Sequence, residues 1–170
     1  MQKNFQPLKI SILKISDTRT EETDTAGQML KEMIVNDGHI FVEKRIVADC
    51  KYKIRAAIST WAAEENVQVA LTTGGTGLTG RDCTPEAITL LFDKEIIGFG
   101  EIFRVKSFEH IGMSTIQSRA VAGIINGMYV FCLPGSKGAC KDGWNLIRQQ
   151  LDPRLTHCNL VDLIPRLKEK

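Results

Sequence analysis

Most of the chemistry open to this chain lies in one segment, Thr72-Thr73-Gly74-Gly75-Thr76-Gly77-Leu78-Thr79-Gly80-Arg81-Asp82-Cys83-Thr84-Pro85-Glu86. Glycines without a β-carbon let successive backbone N–H groups close on an anion, and a helix N-terminus just beyond them adds to the attraction. Phosphate is the natural ligand of such a loop. Asp82 would repel a phosphate unless a divalent cation stood between them, and Mg²⁺ is typically held by one or two carboxylates together with phosphates and waters. The pairing of loop and carboxylate therefore points to a metal and nucleotide site. The plainer alternative for Asp82 is a simple turn before the helix.

Three further stretches offer related groups: Ser16-Asp17-Thr18-Arg19, Asp49, and Pro134-Gly135-Ser136. An Asp closing a strand is also common turn chemistry, and Ser136 is a ready helix cap. Arg81, Arg104, Arg119 and Lys137 are available to neutralise phosphate, although solvated cations are the commoner case. Ser114, Ser118 and Arg119 form a polar cluster. Gly75 to Gly80 matches GxGxxG, and Glu101 follows about twenty residues on, as in a dinucleotide fingerprint. That match is a decoy, because Pro85 places the helix start several residues too late and on the third strand rather than the first. No GK[ST] ending makes it a P-loop either. His39, His110 and His157 follow no ligand spacing.

The elements that must position these groups are readable from periodicity. Leu8 to Ile15, Ile40 to Val47 and Val67 to Thr73 read as strands. Ala26, Met29, Leu30, Met33 and Ile34 mark a helix capped by Asp24 or Thr25 and stopped at Gly38, and Ile54, Ala57, Ile58, Trp61 and Ala62 mark another. Thr84 can cap a helix with Pro85 at its first position. Phe99 to Gln117 reads as one or two helices. Ala120 to Ile125 and Met128 to Leu133 flank Asn126-Gly127, a strong type I′ hairpin signal. A last helix carries Cys140, Trp144, Ile147 and Leu151 on one face. Strands alternating with helices, and one late hairpin, predict an α/β fold: a three-layer α/β/α sandwich with a mostly parallel sheet and one antiparallel strand. In such sheets ligands bind beyond the carboxyl ends of the strands, where the four loops would converge.

At 170 residues, against ~150 per domain, one domain is expected. Hydrophobic residues make up 43% and charged residues 25%, a globular mixture that excludes disordered and collagenous classes. A net charge of +2 sets up no field that would draw the chain to nucleic acid or an anionic membrane. No run approaches the ~20 apolar residues of a membrane span, and Met1 to Ser16 does not read as a signal peptide, so the cytoplasm is expected. The odd count of five cysteines, with no CxxC pair, suits reduced thiols, with Cys132 and Cys140 as small buried side chains.

Thr73-Gly74-Gly75-Thr76-Gly77, Arg81-Asp82, Thr84-Pro85-Glu86-Ala87, Gly98-Phe99-Gly100-Glu101, Ser118-Arg119-Ala120 and Pro134-Gly135-Ser136, in that order, resemble the molybdenum cofactor biosynthesis protein B and molybdopterin adenylyltransferase family. The likeness runs from about Lys9 to Leu151. It implies one molybdopterin-binding domain over residues 1–170, with transfer of AMP from Mg-ATP to the terminal phosphate of molybdopterin and release of pyrophosphate. By the same resemblance, Asp82 and Asp49 would be catalytic and hold Mg²⁺, with ATP as co-substrate. Thr73, Gly74, Gly75, Thr76, Gly77, Glu86, Pro134, Gly135 and Ser136 would bind substrate and its phosphates, and Ser118 and Arg119 would line the pterin side. A homo-oligomer is implied, a trimer or hexamer, along with other proteins of the cofactor pathway as partners. Some B-type relatives lack the acidic residue found here at Asp49, and a non-catalytic molybdopterin carrier or scaffold is the alternative. Lys14 departs from the family pattern of a small or apolar residue, pointing either into the site or to solvent at an edge.

Overall fold

Met128–Leu133 is apolar at every position, the composition of a strand covered on both faces. Tyr129, Phe131 and Leu133 pack to one side of it, and Met128, Val130 and Cys132 to the other. The same alternation sends Ile10 and Ile12 to the first side and Leu13 and Ile15 to the second. One sheet thus divides two layers of helices.

The computed structural model describes residues 3–169; Met1, Gln2 and Lys170 lie outside the described residues. In chain order the elements are β1 (Lys9–Ile15), α1 (Thr25–Asn36), β2 (Ile40–Val47), α2 (Lys51–Glu64), β3 (Val69–Thr73), α3 (Thr84–Ile88), β4 (Lys94–Glu95), α4 (Ile97–Ile111), β5 (Val121–Ile125), β6 (Met128–Leu133) and α5 (Lys137–Leu151). The strand order is β2-β1-β3-β6-β5-β4, with β5 antiparallel to both neighbours. The expected sandwich is therefore present. Its first face is covered by α1, α4 and α5 through Leu30, Ile34, Phe103, Trp144 and Ile147. Its second is covered by α2 and α3 through Ile54, Ile58, Trp61 and Ile88. Burying each large aliphatic side chain stabilises by about 1.5–3 kcal/mol. Both tryptophans are fully buried, and their indole N–H groups still donate, Trp144 to Asp37 Oδ2 at 2.7 Å and Trp61 to Glu43 Oε1 at 2.5 Å.

Local chemistry fixes several boundaries. Asp24 accepts from the Gly27 N–H at 3.1 Å to cap α1, and Ser136 accepts from the Ala139 N–H at 3.2 Å to cap α5. Asn126 and Gly127 take φ of +47° and +80°, as the hairpin turn requires. Thr84 behaves differently from its expected capping role. It is the first residue of α3, and its hydroxyl donates to Gly74 O at 2.9 Å, because that buried carbonyl needs a donor. The edge strand β4 is two exposed residues with no alternation to read. Phe99 to Gln117 resolves into α4 and a 3-10 turn, broken at Gly112. All five cysteines are unpaired, with Cys132 and Cys140 buried.

The pairing register brings the strand ends together. Ile15 lies opposite Val47, Lys14 opposite Thr73, and Thr73 opposite Leu133, so β1, β2, β3 and β6 empty at one edge. β5 runs the other way and begins with Val121 opposite Cys132, which delivers Ser118 and Arg119 to the same edge. Among the described residues no helix is long and apolar enough to cross a membrane.

Candidate functional site

Thr73 closes β3 with its hydroxyl turned inward, donating to Pro134 O at 3.3 Å and lying 3.2 Å from Cys140 Sγ. The chain then passes through Gly74 and Gly75 at φ of +107° and +62°, which is costly for any residue with a β-carbon. At Gly75 space is short as well: a β-carbon would stand 2.3 Å from Thr84 Oγ1 and 2.9 Å from Asp49 Oδ1. This glycine lets the Asp49 carboxylate close against the loop. Asp82 comes up to the same loop two residues further along, where a β-carbon on Gly77 would meet Asp82 Oδ2 at 2.6 Å.

Asp82 Oδ2 accepts the Thr79 N–H at 3.0 Å and the Thr79 hydroxyl at 2.6 Å. The hydroxyl bond, with further backbone N–H groups, holds the Asp82 carboxyl below the usual carboxylate range despite partial burial. Asp82 is thus both a turn residue and an ionised one. Asp49 Oδ1 accepts from the Cys83 N–H at 3.4 Å and from the Cys83 thiol at 3.3 Å. Burial first, and Asp49 second, push that thiol up to about 11, so it donates a proton without ionising. Asp17 ties the loops to one another: Oδ1 accepts the Asp49 N–H at 3.0 Å and Oδ2 accepts from Arg81 at 2.5 Å. The Arg81 contact holds the Asp17 carboxyl below its ordinary value. Among the described residues, no group of three or more His, Cys, Asp or Glu is placed to hold a metal ion. A magnesium ion at this edge would take Asp82 and Asp49 and complete its shell with phosphate oxygens and water, the pattern that suits Mg²⁺.

The loops open on a cleft of about 450 Å³, within the range that takes a small organic ligand. Gly74, Gly75, Thr76, Gly77 and Asp82 form one wall, and Pro134, Gly135 and Ser136 form the next. Ser118 lines it too, and its Oγ is buried with no hydrogen-bond partner among the described residues. Such a hydroxyl is free to bond a polar atom of a ligand in the cleft.

Not every candidate residue faces the cleft. The guanidinium of Arg119 donates to Thr76 O at 3.3 Å and Asp82 O at 3.1 Å, and pairs with Glu86. Arg119 and Glu86 therefore brace the loop from outside the lining, as Thr73 does from beneath it, while Asp49 stands against the back of Gly75. Sequence reasoning missed the opposite wall. It is built by Phe103, Ser107 and Ile111 of α4, with Gln117 and Ala139 beside them. Their i, i+4, i+8 spacing is a helical signal, but Ile97, Ile102, Val105 and Phe108 make the other face of α4 apolar as well and conceal which side turns inward.

Residues 11–157 match the MoCF_biosynth family model, described as a probable molybdopterin binding domain. Molybdenum cofactor biosynthesis protein B of Escherichia coli K12 is 52% identical over 166 residues, which cover 97% of this chain and 96% of that protein. Two solved structures are similar. The tungsten cofactor synthesizing protein MoaB from Pyrococcus furiosus aligns with a TM-score of 0.78 at 38% identity, covering 86% of this chain and 93% of its own. The molybdopterin biosynthesis enzyme MoaB from Thermus thermophilus gives a TM-score of 0.76 at 30% identity, covering 85% of this chain and 91% of its own.

Proposed function

Because the chain belongs to the molybdenum cofactor biosynthesis protein B family, we propose that its cleft binds molybdopterin and that the protein adenylylates it with Mg-ATP. Residues 1–170 would act as one molybdopterin-binding domain in the cytoplasm, in exchange with other proteins of the cofactor pathway. The observation that carries the reading is a glycine loop of phosphate-binding form with a carboxylate on either side of it, Asp82 lining the cleft beside Gly77 and Asp49 behind Gly75.

In the proposed reaction an oxygen of the terminal phosphate of molybdopterin attacks the α-phosphorus of ATP. A new P–O bond forms, the bond from the α-phosphorus to the β-bridging oxygen breaks, and pyrophosphate leaves with that electron pair. Transfer of this kind asks a protein for alignment and charge neutralisation more than for a nucleophile of its own. Bound Mg²⁺ would supply the neutralising charge. Asp82 and Asp49 would hold it with the carboxylate oxygens not engaged by Thr79 and Cys83. The backbone of Gly74–Gly77 and the Pro134–Ser136 turn would grip phosphate oxygens, and Ser118 Oγ would give the pterin side a hydrogen bond. Arg119 would keep the loop in shape for both.

A second part of the proposal is self-association. Apolar side chains gathered uncovered on one face mark an interaction surface, and α4 leaves Ile97, Ile102, Val105 and Phe108 half or more exposed on the face turned away from the cleft. Another copy of this chain, in a trimer or a hexamer of two trimers, would cover them.

The deciding experiment combines the protein with molybdopterin, ATP and Mg²⁺ and follows adenylylated pterin and pyrophosphate, with Asp82→Ala alongside. Product from the wild type only is expected. Tight pterin binding without any product, indifferent to ATP and to Asp82→Asn, would instead assign the chain as a non-catalytic carrier.

A further inference from the structure

Lys14 sits in β1 with 5% of its surface exposed, on the face shared with α1 and α5. An ammonium carries three donors, yet among the described residues Nζ makes no hydrogen bond. The nearest carboxylate oxygen, Asp24 Oδ1, is 3.7 Å away. Asp24 is already engaged: Oδ1 accepts the Gly27 N–H at 3.1 Å, and Oδ2 takes Lys44 at 3.2 Å. Lys44 is itself held by Glu21 at 2.7 Å. Lys14 is therefore held by one long ion pair and by no hydrogen bond, its side chain 6% exposed, in a place where unmet donors are costly.

Its position shows what would partner it. A β-carbon built on Gly135 would stand 3.7 Å from Lys14 Nζ and 3.3 Å from Gly74 Cα. The ammonium thus lies where the Pro134–Ser136 turn touches the Gly74 loop. Directly beyond, Ser136 caps α5, a helix of 15 residues, whose N-terminus carries partial positive charge. We infer that Lys14, lying behind the cleft wall, forms an anion subsite with the turn at Gly135 and the start of α5, and that it takes the oxygens of a phosphoryl group. The inference rests on the proposed phosphate role of the two loops and adds to it a fixed charge. It also assigns a purpose to a lysine that the strand itself does not need. The phosphoryl group could be the single phosphate of a pterin or one end of a pyrophosphate.

The test is calorimetric titration of inorganic phosphate and of inorganic pyrophosphate into wild type, Lys14→Met, Lys14→Gln and Lys141→Met, at one magnesium concentration, with thermal melting as a check on folding. Lys141 is an exposed cation on α5 and controls for net charge. Loss of about tenfold or more in affinity is expected for both Lys14 variants, the scale of a hydrogen bond to a charged group, with Lys141→Met unchanged. Preference for phosphate would assign the subsite to the pterin end, and preference for pyrophosphate to the nucleotide end. Undiminished binding in folded Lys14 variants would leave the loops as phosphate sites and overturn the role of Lys14. Wild type that takes neither anion would overturn both readings together. Lys14 variants that fail to fold while wild type binds would assign the residue to the fold and overturn the subsite.

Discussion

Arg119 is joined to Asp82 through the main chain, its guanidinium donating to the Asp82 carbonyl oxygen at 3.1 Å while it also reaches Thr76 O at 3.3 Å and the Glu86 carboxylate. One side chain at the entry to β5 thus ties down both ends of the glycine loop. Arg119→Met should leave two carbonyls without donors and lower stability by about 1–3 kcal/mol, read by urea denaturation. Amide exchange between Thr76 and Asp82 should quicken at the same time. A variant with an unchanged loop exchange pattern would deny the brace.

Gly75→Ala should be more damaging than its size suggests. Positive φ for a non-glycine residue costs of order 1–3 kcal/mol, and the new methyl group would also collide with Thr84 Oγ1 at 2.3 Å and press on Asp49. Reduced stability together with weaker nucleotide and pterin binding is expected. Wild-type affinity in this variant would show that the ligand makes no use of the loop's conformation.

His39 should tilt stability with pH. It is buried beside Phe5 and Trp144, and Nδ1 accepts the Leu8 N–H at 3.2 Å. Burial holds its pKa below the ordinary 6.5, so the unfolded chain takes up the proton first. Stability is then complete above 6.5 and declines as pH falls from there through the lower folded value. Denaturation midpoints measured across this window should slope in wild type and lie flat in His39→Gln. Equal slopes would transfer the effect to another group.

The exposed side of α4 supplies a test of assembly. Val105 is 61% exposed, and Val105→Asp would place a charge in any apolar contact between copies. Sedimentation should then move from trimer or hexamer toward monomer with the melting behaviour of the single chain preserved. Wild type that sediments as a monomer would remove the assembly from the proposal.

What can be read from the chain are the features decided by a few neighbouring residues. Asn126-Gly127 dictates its own turn, Ser136 caps the helix it precedes, and the apolar alternation separates the two faces of the sheet. The GxGxxG match is a decoy, since α3 opens only at Thr84. Features decided by distant partners are not legible. The Thr84 hydroxyl turns to Gly74 O, the α4 wall is hidden by a helix apolar on both sides, and the unmet donors of Lys14 depend on how Asp24 and Lys44 are occupied. The family resemblance puts Arg119 on the pterin side, and nothing near it in the chain announces its hold on Thr76 and Asp82.

The strand order has a bearing on biogenesis. β6 is the last strand to be made, yet it lies beside β3 near the middle of the sheet, and the Gly74 N–H donates to Leu133 O at 3.1 Å across that junction. A chain emerging from the ribosome can pair β2, β1 and β3 early, but the open side of Val69–Thr73, a wholly buried strand in the finished molecule, stays unpaired until Met128–Leu133 arrives. Unpaired edges of this kind invite wrong pairing with other chains, and long-range pairing is slow. The cleft is therefore among the last parts of the molecule to take shape, and substitutions that delay the docking of β6 would cut the yield of soluble protein before they altered its affinity for anything.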